Sequence, residues 1–234
     1  MSYYLMLDLL VLAAPLALSF DRRVAFYRKW PELFAAIAAI VLAFGAWDVW
    51  KTAIGVWSFN DEYAGTIRWL GLPPAEWFFF VAIPYACVFI LACVRAYVRD
   101  AELAASRAPW LVLAAAFALP VPFVLARTYT AVVLVSAALA LSLGALASPA
   151  TLASRNTWIA LGVTYVPFAL ANGILTGKPV VLYDDARNLG IRVGTIPVED
   201  FVFSFSMLLA SFVLFDVFGS LFARLRARKA GGAS

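Results

Sequence analysis

Seven long apolar segments follow one another along the chain, and they constrain its fold more than any other feature. Hydrophobic residues make up 65% of the 234 residues, whereas a soluble globular domain is nearer half apolar. A helix of about 20 apolar residues crosses the hydrocarbon core of a bilayer. The sequence therefore predicts an all-α, polytopic membrane bundle whose seven transmembrane helices cover residues 3–20, 31–56, 74–98, 108–126, 129–147, 157–175 and 198–223.

Basic residues are distributed unevenly between the two predicted sides of the bundle. Twelve lie on the side of the C-terminus, namely Arg22, Arg23, Arg28, Lys29, Arg95, Arg99, Arg107, Arg155, Arg224, Arg226, Arg228 and Lys229. Six lie on the other side, namely Lys51, Arg68, Arg127, Lys178, Arg187 and Arg192. Because basic loops favour the cytoplasm, we expect a cytoplasmic C-terminus and an external N-terminus. These loops also account for the net charge of +4, so no nucleic-acid partner is expected. We expect segment 3–20 to be a retained membrane span and not a cleaved signal peptide.

One short stretch of the sequence occurs twice. Residues 71–80 read GLPPAEWFFF and residues 194–203 read GTIPVEDFVF, so a glycine, a proline, a glutamate and two phenylalanines recur 123 residues apart. The residues before this stretch recur at an offset of 124, which implies one inserted residue before Gly71. The pairs at that offset include Asp48 with Asn172, Thr52 with Thr176 and Arg68 with Arg192.

The duplication predicts the domain organisation. We expect two three-helix repeats at residues 1–107 and 127–234, joined by a linking helix at residues 108–126. A single intervening helix leaves both repeats in the same orientation. The repeats are therefore expected to be parallel and related by an axis along the membrane normal.

Each copy of the repeated stretch has the features of a helix start. Proline suits the first helical position, where its missing N–H would be unpaired, and a carboxylate in the first turn faces the positive end of the helix dipole. A carboxylate inside a membrane helix is costly and marks a functional site. We therefore expect Glu76, Glu199 and Asp200 to be catalytic, with Glu76 and Glu199 facing one cavity and Glu199 with Asp200 carrying the essential proton transfer. Adjacent helix residues point about 100° apart, so only one of the last two need face the cavity.

Polar and aromatic residues surround both helix starts in the sequence. Their recurrence predicts that Arg68 and Arg192 form ion pairs with acids near the two helix starts. The aromatic residues either form an interfacial belt or stabilise a cation through their ring faces. The residues expected to bind substrate are Arg68, Arg192, Asp48, Asn172, Trp77, Phe78, Phe80, Phe201, Phe203 and Tyr183.

This combination of residues suits acid catalysis on an apolar substrate. A carboxyl group in an apolar pocket has a raised pKa and can act as a general acid near neutral pH. Such an acid can protonate a terminal alkene of a polyene, the cation can close on a neighbouring double bond, and a carboxylate can remove a proton. The chain contains no histidine, so histidine-ligated haem, histidine-rich di-iron sites and the serine–histidine triad are excluded. No cofactor is expected: this reaction requires no redox cofactor, and the sequence has no phosphate-binding glycine motif for a nucleotide.

The paired Gly-x-x-Pro-x-Glu stretches, with Phe78, Phe80 and the run Glu199-Asp200-Phe201, resemble the membrane lycopene cyclase domain family of carotenoid biosynthesis. The resemblance covers both repeats and implies that two halves, separate in some members, are fused here. It implies conversion of the ψ-ends of lycopene into rings, usually β-rings, without net oxidation. Lycopene, membrane lipids and other carotenoid-pathway enzymes are the implied partners, in a bacterial or archaeal cell membrane. Trp77 stands where a second acid is common, which favours a cation-stabilising or positioning role for that position.

Other functions are compatible with parts of the pattern. A carotenoid hydratase that adds water to the same cation has the same sequence features. A transporter with parallel repeats would need polar residues deep in its helices, whereas the charges here gather at one end. A retinal protein would need a lysine in the last span, and residues 198–223 contain none. A prenyl-transferring enzyme would need paired Asp-rich motifs, which this sequence lacks. Asp8 and Asp216 lie inside spans, where they either form buried hydrogen bonds or belong to a polar track.

Overall fold

The computed structural model describes residues 1–231, which form a bundle of α-helices with a few short strands. The helices are α1 (Tyr3–Leu18), α2 (Trp30–Ile40), α3 (Ala46–Ala53), α4 (Asp61–Ala64), α5 (Pro74–Tyr97), α6 (Ala108–Ala118), α7 (Thr128–Ala147), α8 (Pro149–Ala153), α9 (Arg155–Gly177) and α10 (Val198–Gly231). The strands are β1 (Trp57–Phe59), β2 (Val181–Tyr183), β3 (Arg192–Val193) and β4 (Ile196–Pro197). The predicted all-α membrane bundle is confirmed.

Five helical segments are long and apolar enough to cross a membrane. They are Phe26–Ala53, Pro74–Tyr97, Thr128–Ala147, Arg155–Gly177 and Val198–Lys229. The first and fourth predicted spans form shorter apolar helical segments, Tyr3–Leu18 and Ala108–Phe123. The fourth is interrupted because Pro120 and Pro122 lack the backbone N–H that would continue α6, so the chain passes into a 3₁₀ turn.

The second predicted span is one continuous helical run with a local irregularity. A π-helical turn at Val41–Gly45 joins α2 to α3, and such turns often occur near functional sites. A Cβ atom added to Gly45 would lie 2.8 Å from a ring carbon of Trp77. The glycine therefore allows the indole of α5 to pack directly against this turn, which places Trp77 in a helix–helix contact.

Helices α5 and α10 form the centre of the bundle. Helix α10 packs against α7, α2, α5 and α9, while α1 packs mainly on α5 and α6 on α7. The core between them consists of fully buried apolar side chains, among them Leu33, Phe80, Leu91, Leu141, Phe212 and Val213. Glu76 and Asp200 lie in the first turns of α5 and α10. The two central helices therefore bring their N-terminal carboxyl groups to the same end of the bundle.

The short strands join the two halves of the chain. Strands β1 and β2 pair antiparallel, with Ser58 opposite Leu182 at the centre of the ladder. These two residues are 124 apart in the sequence, so each strand pairs with its predicted counterpart. An antiparallel pair of equivalent segments has a local twofold axis through its centre. This register supports the predicted repeat, whose boundaries remain a prediction and whose last residues, 232–234, lie outside the described part of the chain.

The offset of 124 continues through the helix starts. Helix α5 begins at Pro74 and α10 at Val198, and the turns before them are closed by Trp69 pairing with Leu72 and Val193 with Ile196. The expected one-residue insertion before Gly71 is therefore wrong. The consequence for the site is that Asp200, and not Glu199, occupies the position equivalent to Glu76.

An ion pair closes the opposite end of the bundle. The guanidinium of Arg95 donates two hydrogen bonds of 2.7 Å to the carboxylate of Asp216, and the hydroxyl of Thr151 donates a third at 2.6 Å. These contacts join α5, α8 and α10. Of the two alternatives for Asp216, the structure thus shows buried hydrogen bonding, in an ion pair that joins helices. One carboxyl oxygen of buried Asp8 has no hydrogen-bond partner among the described residues.

Candidate functional site

A cavity of about 300 Å³ lies between α1, α5, α9, α10 and the β1–β2 pair. Most of its wall is apolar, and three carboxyl groups, those of Asp48, Glu76 and Asp200, face it together with the amide of Asn172. Other lining residues are Tyr4, Val11, Pro15, Trp57, Phe59, Phe79, Ile83, Ile90, Tyr129, Pro167, Phe168, Tyr183, Phe203, Met207 and Leu208. The arrangement is an apolar chamber with acids at one end.

The helical repeat decides which predicted residues reach this chamber. On α5 the lining positions include Glu76, Phe79 and Ile83, and on α10 they include Asp200 and Phe203. These positions are three or four residues apart and therefore share one helix face. Residues beside them point about 100° away, which explains why predicted Trp77, Phe78, Phe80, Phe201 and Glu199 do not line the cavity.

Asp200 is held by three donors. Its carboxylate accepts hydrogen bonds from the hydroxyl of Tyr129 at 2.6 Å, the hydroxyl of Tyr183 at 2.8 Å and the amide of Asn172 at 2.7 Å. Burial, reinforced by the nearby Asp200 carboxylate, raises the pKa of Tyr183 well above its usual value. The phenol therefore remains a proton donor, and three such donors can stabilise the anionic form of a carboxyl group.

Glu76 has a different environment on the other central helix. One of its carboxyl oxygens, Oε2, accepts a hydrogen bond of 2.8 Å from the hydroxyl of Tyr4. The side chain is buried and lines the cavity, and no described residue donates a hydrogen bond to its other oxygen. That oxygen can therefore carry a proton toward a molecule in the chamber.

Glu199 is buried but points away from the cavity. Its Oε1 atom accepts hydrogen bonds from the hydroxyl of Thr130 at 2.6 Å and from the backbone N–H of Leu189 at 2.8 Å. The expectation that Glu199 faces the cavity is therefore wrong. Of the two adjacent acids, Asp200 faces the chamber, and Glu199 connects the segment before α10 to the start of α7 by hydrogen bonds.

Lys51 is a component of the site that the sequence did not indicate. Its side chain is fully buried, and its ammonium lies 3.7 Å from the carboxylate of Asp48. The same ammonium lies 4.2 Å from the ring centre of Trp57 and 4.4 Å from that of Phe203. Lys51 was counted among the basic residues of the external side, although predicted span 31–56 contains it; its spacing of three residues from Asp48 on a helix was a usable signal of an ion pair.

The predicted ion pairs of the arginines are confirmed. Arg68 lies 2.5 Å from the carboxylate of Asp61, and Arg192 lies 2.7 Å from that of Asp185. A hydrogen bond from Asn188, and then the Arg192 guanidinium, holds the pKa of Asp185 below its usual range. These pairs brace the segments that precede α5 and α10, and neither arginine lines the cavity.

Two tyrosines of the site, Tyr4 and Tyr129, were missed, because they are 125 residues apart and the offset of the recurring residues is 124. Tyr4 and Tyr129 are each the second residue of a helix, α1 and α7 respectively. Each donates a hydrogen bond to a cavity acid, Glu76 or Asp200. The signal available in the sequence was a tyrosine at the start of both the first and the fifth predicted spans, 3–20 and 129–147.

One comparison with known proteins identifies related sequences. A family model described as Lycopene cyclase matches residues 1–94 and 126–218. The match covers most of the chain and contains every residue that lines the cavity. Comparisons with curated proteins and with solved structures found no match.

Proposed function

The chain belongs to the lycopene cyclase family, and from this we propose that it closes the linear ψ-ends of lycopene into β-rings by a redox-neutral reaction that begins with protonation. The observation that carries the proposal is the pair of carboxyl groups, Glu76 and Asp200, that line one apolar chamber. A cyclisation of this kind needs a proton donor and a proton acceptor around a water-poor, aromatic space.

The size of the chamber supports binding of one end of the substrate at a time. Its volume of about 300 Å³ is at the lower limit of small-molecule sites, roughly 300–1,000 Å³. A forty-carbon polyene does not fit within this volume, whereas a single end group does. The remaining chain would extend between α1 and α9, whose residues Val11, Pro15 and Pro167 line the cavity.

We assign the first step to Glu76. Its hydrogen-bond-free oxygen carries a proton, which adds to the terminal double bond of the ψ-end and leaves a cation on the neighbouring carbon. Tyr4 holds the other oxygen in place. A general acid of this kind typically contributes about 10²–10⁴ to the rate.

Ring closure and proton loss complete the reaction. The cation accepts the electron pair of the next double bond, which forms the ring bond and moves the charge to a ring carbon. Asp200 then removes a proton from the adjacent ring carbon, and those electrons become the ring double bond. One proton is gained and one is lost, so the product has the formula of the substrate and no oxidant or reductant is consumed.

Aromatic side chains support the cationic intermediates. The rings of Phe59, Phe79 and Phe168 line the chamber, and aromatic faces attract positive charge by their quadrupole. The Asp200 carboxylate adds a fixed negative charge held by three donors. Electrostatic stabilisation by preorganised groups is often the largest contribution to catalysis.

We also propose the membrane orientation that the loop charges indicate. The acids would lie near the external face of a bacterial or archaeal cell membrane, with the C-terminus in the cytoplasm. The half-buried Arg95–Asp216 pair at the opposite end leaves the basic tail of α10 beyond it, as this orientation requires. Lycopene and membrane lipids are the proposed partners, together with carotenoid-pathway enzymes that share the bilayer.

Expression in cells that accumulate lycopene tests the proposed function. Pigment chromatography with mass spectrometry should show loss of lycopene and appearance of ring-containing pigments of the same mass. A pigment heavier by the mass of water would indicate a hydratase. Unchanged lycopene, with folded protein present in the membrane, would contradict the proposal.

A further inference from the structure

We propose that the buried Asp48–Lys51 ion pair assigns the two proton-transfer roles, so that Glu76 is the donor and Asp200 the acceptor. This inference rests on the proposed function and adds a positioning residue, Lys51, that does not itself line the chamber. Its basis is the contrast between the two halves of the site.

The ion pair is buried and incompletely satisfied. Lys51 has no exposed surface and Asp48 almost none, and their charged atoms are 3.7 Å apart. Among the described residues, the ammonium of Lys51 makes no hydrogen bond. When an ion pair with poor geometry is buried, the desolvation free energy that it costs exceeds the favourable Coulomb energy between the two charges. The pair is therefore poor evidence of a purely stabilising role.

The second half of the site has the same architecture without these charges. At the offset of 124, Asp48 corresponds to Asn172 and Lys51 to Leu175. Asn172 donates a hydrogen bond to Asp200, and Leu175 is buried. A neutral amide and a leucine thus suffice to build this helix end. The ion pair makes the two halves electrostatically different where their frameworks correspond.

The pair has a direction within the site. Asp48 lines the chamber with Glu76 and Asp200, and the ammonium of Lys51 lies between rings of both halves, 4.2 Å from Trp57, 4.4 Å from Phe203 and 5.5 Å from Tyr129. Phe203 is one turn beyond Asp200 on α10, and Tyr129 donates a hydrogen bond to Asp200. Of the two charges, the Asp48 carboxylate interacts more strongly with Glu76, and the Lys51 ammonium is the one that interacts with Asp200.

This direction has a chemical consequence. A neighbouring negative charge disfavours ionisation of a carboxyl group, and a neighbouring positive charge favours it. The pair therefore keeps the proton on Glu76 and the charge on Asp200. Two equivalent acids would exchange these roles freely, whereas a cyclisation needs one of each. The titratable or charged groups around the pair are Tyr4 and Asp8 on α1, Glu76 on α5, Tyr129 on α7, Tyr183 on β2 and Asp200 on α10.

Opposite charge removals should move the pH–rate profile in opposite directions. Asp48→Asn leaves Lys51 alone, so Glu76 loses its proton at lower pH and the alkaline limb moves toward acid. Lys51→Leu leaves Asp48 alone, so Asp200 gains a proton at higher pH and the acid limb moves toward alkali. Each shift should be about one pH unit, and each variant should be about tenfold slower at neutral pH. Purified protein in detergent with lycopene allows the pH to be set uniformly.

The double variant Asp48→Asn/Lys51→Leu gives the first half the residues of the second and serves as the matched control. It should remain folded by size-exclusion chromatography, with a profile between those of the single variants and a rate below that of the wild type. If Lys51→Leu does not fold, the test is the shift of the pH–rate profile of Asp48→Asn relative to that of the double variant.

Wild-type pH profiles for the folded variants, or shifts in the same direction for both single variants, would overturn the inference. Failure of the proposed function is distinguishable, because the wild-type protein would then form no ring at any pH.

Discussion

The hydroxyl of Tyr129 lies 2.6 Å from a carboxylate oxygen of Asp200. This hydrogen bond connects the start of α7 to the acid on α10, and the bond from Tyr4 to Glu76 connects α1 to α5 in the same way. Glu76 and Asp200 are thus each held by a tyrosine from a different helix. The position of each acid therefore depends on the packing of the helix that carries the tyrosine as well as on the helix that carries the acid.

The first prediction concerns that tyrosine. Tyr129→Phe removes one of three donors to Asp200 and should lower the cyclisation rate about tenfold, because loss of a buried hydrogen bond to a charged group costs about 1–3 kcal/mol. The measurement is ring formation per amount of folded protein. Tyr165→Phe is the matched control, because that hydroxyl donates to the backbone of Phe201 outside the chamber. Equal losses in both variants would contradict a specific role for Tyr129.

The second prediction separates stability from catalysis. Asp216→Asn breaks the ion pair with Arg95 far from the chamber and should lower the unfolding free energy by about 1–3 kcal/mol. Thermal unfolding in detergent measures this change, while ring formation per folded molecule should stay at the wild-type level. A normal melting temperature combined with lost activity would place this pair in the reaction and contradict the assignment.

The third prediction concerns the two arginines. Arg68→Gln and Arg192→Gln break exposed ion pairs, which contribute about 0–1 kcal/mol each, and should change the cyclisation rate by less than about threefold. The Arg192 pair stabilises Asp185 in its charged form, so its contribution is present at neutral pH and is lost as the pH falls through the lowered pKa of Asp185. A much larger loss in apparent lycopene affinity for either variant would show that these residues bind substrate.

The fourth prediction follows from the origin of the proton. When the purified protein converts lycopene in D₂O, each ring should carry one deuterium, because the donor carboxyl exchanges with solvent and its deuteron stays in the product. Mass spectrometry of the pigments measures this directly. A ring formed without deuterium would contradict initiation by an exchangeable acid.

The sequence predicted the fold class because length and hydropathy alone specify membrane helices. It also predicted that acids at the starts of two helices meet, which follows from the repeated proline and carboxylate. Of the predicted binding residues, Asp48, Asn172, Tyr183 and Phe203 line the chamber. Their positions follow from the recurrence at 124 residues, which continues through the strand pair.

The wrong placement of Glu199 and Phe201 has one physical origin. Aligning the glutamates required an inserted residue, and this alignment paired Glu76 with Glu199. Backbone pairing before the helices keeps the offset at 124, so the helix face of Glu76 corresponds to that of Asp200. A shift of one residue rotates a helix position by about 100°, which moves Glu199 and Phe201 out of the chamber. Burial of Lys51 could not be predicted, because it depends on Trp57 and Phe203 closing over the ammonium.

The most direct measurement compares three conservative variants in membranes that contain lycopene. Glu76→Gln and Asp200→Asn each remove a cavity carboxyl group, and both should form rings about 10²–10⁴ times more slowly than the wild type. Glu199→Gln keeps the acceptor for Thr130 and Leu189 and should retain at least about a tenth of the wild-type rate. The opposite pattern at matched amounts of folded protein, with Glu199→Gln inactive and either Glu76→Gln or Asp200→Asn forming rings at the wild-type rate, would contradict the assignment of Glu76 and Asp200 as proton donor and acceptor.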